Sequence, residues 1–414
     1  MKSQIFRKVN FVIPLLILLI ANCQWLLGQI PITLKAATDT ALKNNMLVKN
    51  EQLKAQYQQL LINTSGTLPK TMVVADAGQI NSIYTDSRFG VSQSFSLPEV
   101  YARQKELLQQ EWKSSLLNVA VKEALLKKQV AQVYYIILYV EQKKLLLQNI
   151  DSLYAAFYKK AALRLAKGES NILEKASAET QLGQINLQLN QLKQDLEILQ
   201  LQFQLLLNTT THFVPENTVF KNELAGGSNM GILKNNAAMQ LIQQQQNIAA
   251  ATIKMEKAKL LPDWTLGYNN TSIRGTGADN KIYSGGQRFS SVQVGVGIPI
   301  FAKAQKAKIT SAKFYRQLAE NNYAVGLQSL QLEYNIAVTQ YQKQLQTVQY
   351  YETNALNNAV LITTTANQQL ANGSINYLEW VQVINQATTV KNDYVEAVKN
   401  LNQSIIELNY FTNQ

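Results

Sequence analysis

Few residues of this 414-residue chain have the types and spacing that catalysis or metal binding requires. Cys23 is the only cysteine, and His212 is the only histidine. A mature chain that begins after the leader described below therefore has no internal disulfide and no thiol metal site. His212 lies in the loop-like stretch TTTHFVPENT, where an ordinary surface histidine is the commoner interpretation. We predict no catalytic residue, no metal site and no cofactor, so an enzyme is only a minor alternative.

The residues that do recur at a fixed spacing belong to a ten-residue phrase that the chain contains twice. LAKGESNILE occupies residues 165–174 and LANGSINYLE occupies residues 370–379, with six identical positions. In each copy a glycine, an asparagine and a glutamate follow one another at intervals of three residues. These are Gly168, Asn171 and Glu174 in the first copy, and Gly373, Asn376 and Glu379 in the second.

The spacing of these residues is typical of a helix that stops and another that starts. Glycine adopts the left-handed conformation beyond a helix C-terminus without penalty. Asparagine is a preferred N-cap, and a glutamate three residues later completes a capping box. In the second copy Ile375 and Trp380 also fit a hydrophobic staple. Each phrase therefore predicts the bend of an antiparallel helical hairpin, with one continuous helix through the glycine as the alternative.

Residues 1–28 have the pattern of a secretory signal peptide. A basic start with Lys2, Arg7 and Lys8 precedes an apolar run over residues 11–21, which is short for a membrane-spanning helix. A retained N-terminal anchor is one alternative. The signal peptide could be processed in two ways. One is cleavage after Gly28, and the other is lipid modification of Cys23 in LIANC, although Asn22 is unusual before a lipidated cysteine.

The rest of the chain reads as one unit repeated. ALKNNMLVKNEQLKAQ, which begins at residue 41, matches ILKNNAAMQLIQQQQN, which begins at residue 232, and FGVSQSFSLPEVYARQK parallels VQVGVGIPIFAKAQKAK. We predict a first repeat at 29–208, a linker at 209–230 and a second repeat at 231–414. The distance between copies is too long for a solenoid, so the pattern indicates a duplicated half-protein.

Long helices dominate each predicted repeat. No proline occurs between residues 99 and 214 or between 300 and 414, and both spans are rich in good helix formers. The stretch from Pro98 to the first bend is roughly 65 residues, on the order of 100 Å as a helix. After each bend, positions spaced alternately by three and four residues predict a left-handed coiled-coil seam, although an ordinary amphipathic helix has a similar pattern. The seam comprises Leu182, Ile185, Leu189, Leu192, Leu196, Leu199, Phe203 and Leu206, then Ala387, Val390, Tyr394, Ala397, Leu401, Ser404, Leu408 and Phe411.

Four strand-like segments precede the long helices, two in each repeat. FGVSQSFSL, SVQVGVGIPI and WTLGYNN alternate apolar with small or polar residues, and TMVVADAGQI does so more weakly. A soluble sandwich and an outer-membrane barrel both produce this alternation. The long helices favour the barrel, because so few strands would otherwise have little to pack against. Four strands cannot close a barrel, and open edges are not tolerated in lipid, so several chains would have to combine their strands.

With these features the chain resembles the TolC-like outer-membrane efflux proteins, the exit ducts of tripartite pumps and type I secretion systems. The resemblance covers residues 32–412. It rests mainly on RLAKGESNILEKASAETQL and QLANGSINYLEWVQVINQA at the two bends, and on VSQSFSLPEVYARQ, where a strand leads into a long helix. The family usually has aspartate where this chain has Glu174 and Glu379, and Gln369 replaces an arginine.

The resemblance implies a mainly α protein whose coiled-coil hairpins form an α-barrel, with four transmembrane strands per chain in a trimeric, twelve-stranded β-barrel. It implies an outer-membrane location, with the helical part in the periplasm. The expected partners are two further copies of the chain, outer-membrane lipid, a periplasmic adaptor (membrane fusion) protein and an inner-membrane pump of the RND or ABC type. The adaptor would dock at Arg164, Gly168, Asn171, Leu173, Glu174, Gly373, Asn376, Leu378 and Glu379.

The sequence also bears on a nucleic-acid partner, on the alternative function and on the substrate. The net charge of +12 is spread along the chain, and an exported protein seldom meets nucleic acid, so we predict no nucleic-acid partner. A periplasmic coiled-coil adaptor or scaffold is the alternative function, although a strand pair in each repeat disfavours it. The sequence does not identify the transported substrate, which could be metal ions, drugs or polypeptides.

Overall fold

The computed structural model describes residues 30–216, 220–224, 233 and 235–412. The predicted signal peptide, the two processing alternatives at Cys23 and Gly28, and much of the predicted linker lie outside these residues.

Most of the described chain is helical, as the proline-free spans predict. Pro98 is the first residue of the first long helix, a position where its missing N–H costs no helical hydrogen bond. The helices are α1 (Leu34–Asn44), α2 (Met46–Leu61), α3 (Pro98–Ala166), α4 (Ile172–Leu207), α5 (Ala237–Ala258), α6 (Lys303–Tyr350), α7 (Leu356–Ala371) and α8 (Tyr377–Thr412). A 3₁₀ turn at Ile62–Gly66 follows α2, and a π-helical turn at Tyr351–Ala355 joins α6 to α7.

The bounds of the two helical hairpins correspond at a constant offset of 205 residues. The arm before the first bend runs from residue 98 to 166, and the arm before the second runs from 303 to 371. The helix after the first bend runs from 172 to 207, and the helix after the second runs from 377 to 412.

Contacts divide the described chain into two compact units that each take segments from both halves of the sequence. One unit contains the residues up to Lys49, then Lys122–Ile232 and Gln331 onward. The other contains Asn50–Val121 and Leu233–Leu330. The consecutive repeats predicted from the sequence are a different division, and they stay a prediction.

In the first unit the hairpin helices pack along the predicted seams. The seam residues of α4 join two apolar clusters that they share with α3. The seam residues of α8 are buried or half-buried, but α8 also buries Val398, Ile405 and Ile406 beside its seam. Helix α8 is therefore surrounded by neighbours, whereas α4 packs along one stripe.

A short segment near the middle of the chain is attached to α8 through the buried side chain of Asn402 and through Phe220 and Leu224, which pack on an apolar cluster of α8. Asn402 has 0% exposure, and its amide nitrogen donates to the Phe220 carbonyl at 2.8 Å. Its side-chain oxygen accepts from the Asn222 N–H at 2.8 Å. A small parallel pair of strands, β1 (Ile30–Ile32) and β4 (Phe213–Pro215), lies in the same unit.

The second unit contains an antiparallel sheet made from all four predicted strand segments. Its strands are β2 (Met72–Gly78), β3 (Asp86–Ser96), β5 (Asp263–Ser272) and β8 (Arg288–Gly297), in the order β2-β3-β5-β8. The connection between β5 and β8 contains a two-stranded hairpin, β6 (Gly275–Thr276) and β7 (Ile282–Tyr283). In the described chain, β2 and β8 are therefore the edges of the four-stranded sheet.

The register gives this sheet one apolar and one small or polar face, because directly paired residues point the same way. On the apolar face Val91 pairs with Tyr268, which pairs with Val292, and all three side chains are exposed. On the other face Ser94, Thr265 and Gly295 form a row. The alternation read from the sequence is confirmed.

No helix among the described residues combines the length and the apolar character that a membrane crossing requires.

Replacing Asn402 with alanine should lower the midpoint of thermal unfolding. The change removes the partner of the Phe220 carbonyl and of the Asn222 N–H, which belong to half-buried residues, and this costs on the order of 1 kcal/mol. The matched control is Asn400→Ala, at a half-buried position two residues earlier on α8. Equal midpoints for the two variants would contradict this assignment.

Candidate functional site at the two helical bends

The first bend is a Schellman motif centred on Gly168. The Glu169 N–H donates to the Arg164 carbonyl at 2.9 Å, and the Gly168 N–H donates to the Leu165 carbonyl at 3.0 Å. Gly168 has φ +74°, which strains any residue with a side chain, although a Cβ would meet no heavy atom within 4 Å. Backbone conformation alone therefore requires glycine here.

The next helix starts three residues later. The Asn171 side chain accepts the Glu174 N–H at 3.1 Å, so Asn171 is the N-cap of α4, as the sequence predicts.

The second bend repeats this backbone geometry. Gly373 has φ +78°, and the Ser374 N–H donates to the Gln369 carbonyl at 2.8 Å. Asn376 accepts the Glu379 N–H at 3.0 Å, and the Glu379 carboxylate accepts the Asn376 N–H at 2.8 Å. Both bonds of a capping box are therefore present.

The two bends differ in what the glutamate binds. In the first bend the Glu174 carboxylate accepts from the Arg164 guanidinium at 3.0 Å and from the Ser170 hydroxyl. Arg164 also donates to the Glu169 carbonyl at 3.3 Å. Because Gln369 occupies the position equivalent to Arg164, Glu379 has no such cation and reaches back to its own cap. Both hydrogen bonds of the predicted capping box therefore form at the second bend. At the first bend only the bond from the Glu174 N–H to the Asn171 side chain forms.

Each bend presents a leucine to solvent at the second helical residue. Leu173 is 68% exposed and Leu378 is 62% exposed. Because Asn171 and Asn376 each cap a helix two residues before the leucine, both leucines lie at the same position relative to their bend. The preceding residues differ, since Ile172 is exposed whereas Tyr377 is buried.

Beneath the bends lies an aromatic cluster that joins the two hairpins. The rings of Phe157 and Tyr377 stack with centroids 3.6 Å apart, and the Trp380 ring lies 5.2 Å from Phe157 and 6.0 Å from Tyr154. Trp380 is 1% exposed, and its indole N–H donates to Asn367 at 2.9 Å. Ile375, on the other side of the Asn376 cap, packs against the same cluster.

Sequence reasoning did not identify Tyr154 and Phe157 as partners of the second bend. Their spacing of three residues marks one helical face, but it does not indicate which helix lies against that face. Their burial beside α8 is a finding of the structure.

The first turns of α4 and α8 lie close together, and their proximity affects the pKa of the Tyr377 hydroxyl. Burial, with a contribution from Tyr154, raises the pKa of Tyr377 to about 12. The nearby Ser177 side chain opposes the rise, and the nearby Glu174 carboxylate adds to it. Burial likewise raises the pKa of Tyr154 to about 12, and the Tyr154 hydroxyl donates to Asn385 at 2.7 Å.

The structure thus brings all the predicted docking residues into two bends with a shared core. The chemistry of the bends is helix capping and apolar exposure. Among the described residues, no group of three or more histidine, cysteine, aspartate or glutamate side chains could hold a metal ion.

Comparison with known proteins gives the class. The family model described as outer membrane efflux protein matches residues 231–414, and a search of curated protein sequences finds no match. The Campylobacter jejuni CmeC outer membrane channel is similar at a TM-score of 0.76 and 14% identity, covering 92% of this chain and 85% of that one. The open Neisseria gonorrhoeae MtrE outer membrane channel gives 0.73 and 17%, covering 92% and 88%. The OprN outer-membrane channel gives 0.77 and 15%, covering 92% and 89%.

These matches define a protein with the fold of the outer-membrane efflux channels. The model of the outer membrane efflux protein family matches residues 231–414, and the described chain has the fold of the solved channels over both halves. The resemblance to TolC-like proteins that the sequence predicts is confirmed.

Replacing Trp380 with alanine should destabilise the hairpins by about 3–5 kcal/mol, because it removes a buried ring from the aromatic cluster. Urea unfolding followed by circular dichroism measures the loss. Leu378→Ala, two residues away and exposed, is the control and should change stability little. The prediction fails if the two variants unfold at the same urea concentration.

The two buried tyrosines should make the folded chain sensitive to alkali. An ordinary tyrosine has a pKa of 10.0, whereas Tyr154 and Tyr377 reach about 12. The unfolded chain therefore loses these protons first, so their contribution to stability is intact below about pH 10 and is lost as the pH rises towards about 12. The urea midpoint should fall over that range, and less steeply in the double variant Tyr154→Phe/Tyr377→Phe. A phenylalanine at an exposed tyrosine should leave the slope unchanged, and equal slopes in all three proteins would count against this origin.

Proposed function

We propose that this protein is the outer-membrane channel component of a tripartite efflux or type I secretion system. It provides a passive, water-filled exit duct and docks to a periplasmic adaptor through its two helical bends. The observation that carries the proposal is the matched pair Leu173 and Leu378, which are exposed at equivalent positions of two rigidly capped bends.

The sheet supports assembly of the duct as a homotrimer. Strands β2 and β8 leave open edges, and the sheet's apolar side chains are largely uncovered in the single chain. An open edge is not tolerated in lipid, so closure requires strands from other copies. Three copies supply twelve strands, with the apolar face towards lipid and the face of serine, threonine and glycine towards water.

The bends have the properties expected of a docking surface. The leucines are apolar, and their backbone is fixed by the Schellman bonds and caps, so a partner need not order a loop in order to bind. An exposed leucine beside polar caps suits a helical partner that buries it in a shallow groove. Arg164 adds a cation to the first bend that the second lacks.

The remaining assignments follow from this arrangement. The strands lie in the outer membrane, and the helical part lies in the periplasm, where the adaptor meets the bends. The duct supplies the path, and the energy comes from an inner-membrane pump of the RND or ABC type. The described bends hold caps and apolar side chains, which suits docking and gives no basis for selecting a substrate.

Replacing Leu378 with glutamate should abolish export while trimers still form, because a charge at the docking surface opposes burial against the adaptor. Cells that express this chain together with the adaptor and pump that it is proposed to serve allow two measurements. These are retention of a fluorescent dye, and photocrosslinking from position 378 to the adaptor. Leu173→Glu should have the same effect at the first bend. A bulky or charged residue at Gly373 should also stop export, because it strains the bend itself.

The control is Gln382→Glu, which adds the same charge at an exposed position one turn further along α8. Heat-modifiable trimers in the outer-membrane fraction would separate a channel from a soluble adaptor or scaffold. Normal export by Leu378→Glu and Leu173→Glu, with trimers intact, would remove the bends from the docking surface.

A further inference from the structure

We propose that the turn between β8 and α6, residues 298–306, binds the headgroup of an anionic phospholipid at the bilayer surface. This inference rests on the proposed membrane location of the sheet, and it adds a specific lipid site to it. The site consists of exposed apolar side chains followed directly by two cationic side chains.

The ends of the strands indicate where the apolar part of the bilayer stops. Phe95, Trp264 and Val296 pair across three strands in one row, one residue before the pairs that end the ladder. Strand β8 has 10 residues. At about 3.3 Å per residue and a tilt of about 45°, such a strand crosses about 23 Å, close to the apolar band of a membrane barrel. Residues 298–306 therefore belong at the level of the headgroups, where aromatic side chains are enriched.

The apolar part of the turn is unusually open to solvent. Phe301 is 97% exposed and Ile300 is 79% exposed, and Ile298 is exposed as well. Ile298 and Ile300 continue the alternation of Val294 and Val296, so they extend the apolar face of the sheet beyond its last paired residue. Side chains in this position can reach the acyl chains next to a headgroup.

The cationic part follows within a few residues. Lys303 and Lys306 are both exposed at the start of α6, whose first turn contains no acidic residue. Within the described chain neither forms an ion pair, whereas nearby Lys254 binds Glu106 at 2.6 Å and Lys259 binds Glu256 at 2.8 Å. Lys308 is not included, because it lies within electrostatic reach of Glu256. Two unpaired ammonium groups beside an apolar surface match a phosphate linked to acyl chains.

The corresponding turn from β3 into α3 provides an internal comparison. There Leu97 is half-buried, and the Tyr101 hydroxyl accepts the Ser96 N–H at 2.9 Å. Arg103 binds Glu99 at 3.3 Å and Glu106 at 3.0 Å. The first turn pairs Arg103 with two carboxylates and half-covers Leu97, whereas Lys303 and Lys306 at the second turn have no such partner in the described chain and Phe301 is almost fully exposed. The difference favours a ligand at the second turn only.

The test measures which lipid lies beside Trp264, at the rim of the sheet. The mature chain is reconstituted in phosphatidylcholine bilayers that contain a brominated lipid, either phosphatidylglycerol or phosphatidylcholine. Bromine quenches tryptophan fluorescence on contact, and the Trp264→Phe variant isolates the signal of this residue. Brominated phosphatidylglycerol should quench Trp264 more strongly at equal mole fraction, and the preference should weaken as salt is added.

The variant Lys303→Gln/Lys306→Gln should lose this preference, by on the order of tenfold in relative binding. The control Lys313→Gln/Lys343→Gln removes the same charge from exposed positions further along α6 and should retain it. Equal quenching by both lipids in the unaltered chain, or an undiminished preference in Lys303→Gln/Lys306→Gln, would overturn the lipid site but leave the channel intact. Absence of quenching by either lipid would instead overturn the membrane location itself.

A second variant distinguishes lipid from a neighbouring copy of the chain. Phe301→Ser should reduce quenching by phosphatidylglycerol without changing the temperature at which trimers dissociate. If it lowers that temperature and leaves the lipid preference unchanged, the turn contacts another subunit and the lipid site is wrong.

Discussion

A long helix reverses direction within a few residues most readily where one residue adopts a left-handed backbone and the freed carbonyl groups find donors. Gly168 and Gly373 meet that condition, and the caps that follow them start the next helix without a loop. The residue at which α8 starts also determines which of its side chains are buried. Tyr377 and Trp380 are the first and fourth residues of α8, so the position of its cap places both rings against Tyr154 and Phe157. The link between the two hairpins therefore depends on where the second bend ends.

Much of this arrangement could be predicted from local sequence. Glycine, asparagine and glutamate at intervals of three residues determine only the local backbone conformation, so the motif alone predicts the bends. The structure has both bends at the predicted residues. The strand segments also follow from local alternation. The stack of Phe157 on Tyr377 could not be predicted, because it depends on which helices become neighbours. Arg164 was predicted to lie at the bend, but its ion pair with Glu174 depends on the side-chain conformation, which a sequence motif does not specify.

The two hairpins share their length and bends but differ in their surroundings. Helix α4 packs along one stripe, whereas α8 is buried on several sides and holds the segment at 220–224 through Asn402. Similar differences occur at the starts of the long arms. The turn into α3 satisfies its charges internally, and the turn into α6 leaves them open. Equal helix lengths are therefore compatible with different tasks for the two halves.

The π-helical turn at Tyr351–Ala355 has a consequence for symmetry. The arms that precede the two bends contain the same number of residues, but a π-helical turn accommodates about one more residue than an α-helical turn. Beyond it, side chains are rotated by about 100° and the arm is about 1.5 Å shorter than a regular helix of equal count. Buried residues before this turn correspond at an offset of 204, as Leu126 does with Leu330 and Val130 with Tyr334, whereas beyond it they correspond at 205, as Tyr154 does with Ala359 and Ala161 with Ala366. The π-helical turn therefore brings equivalent residues of the two arms onto equivalent faces before the bends are reached.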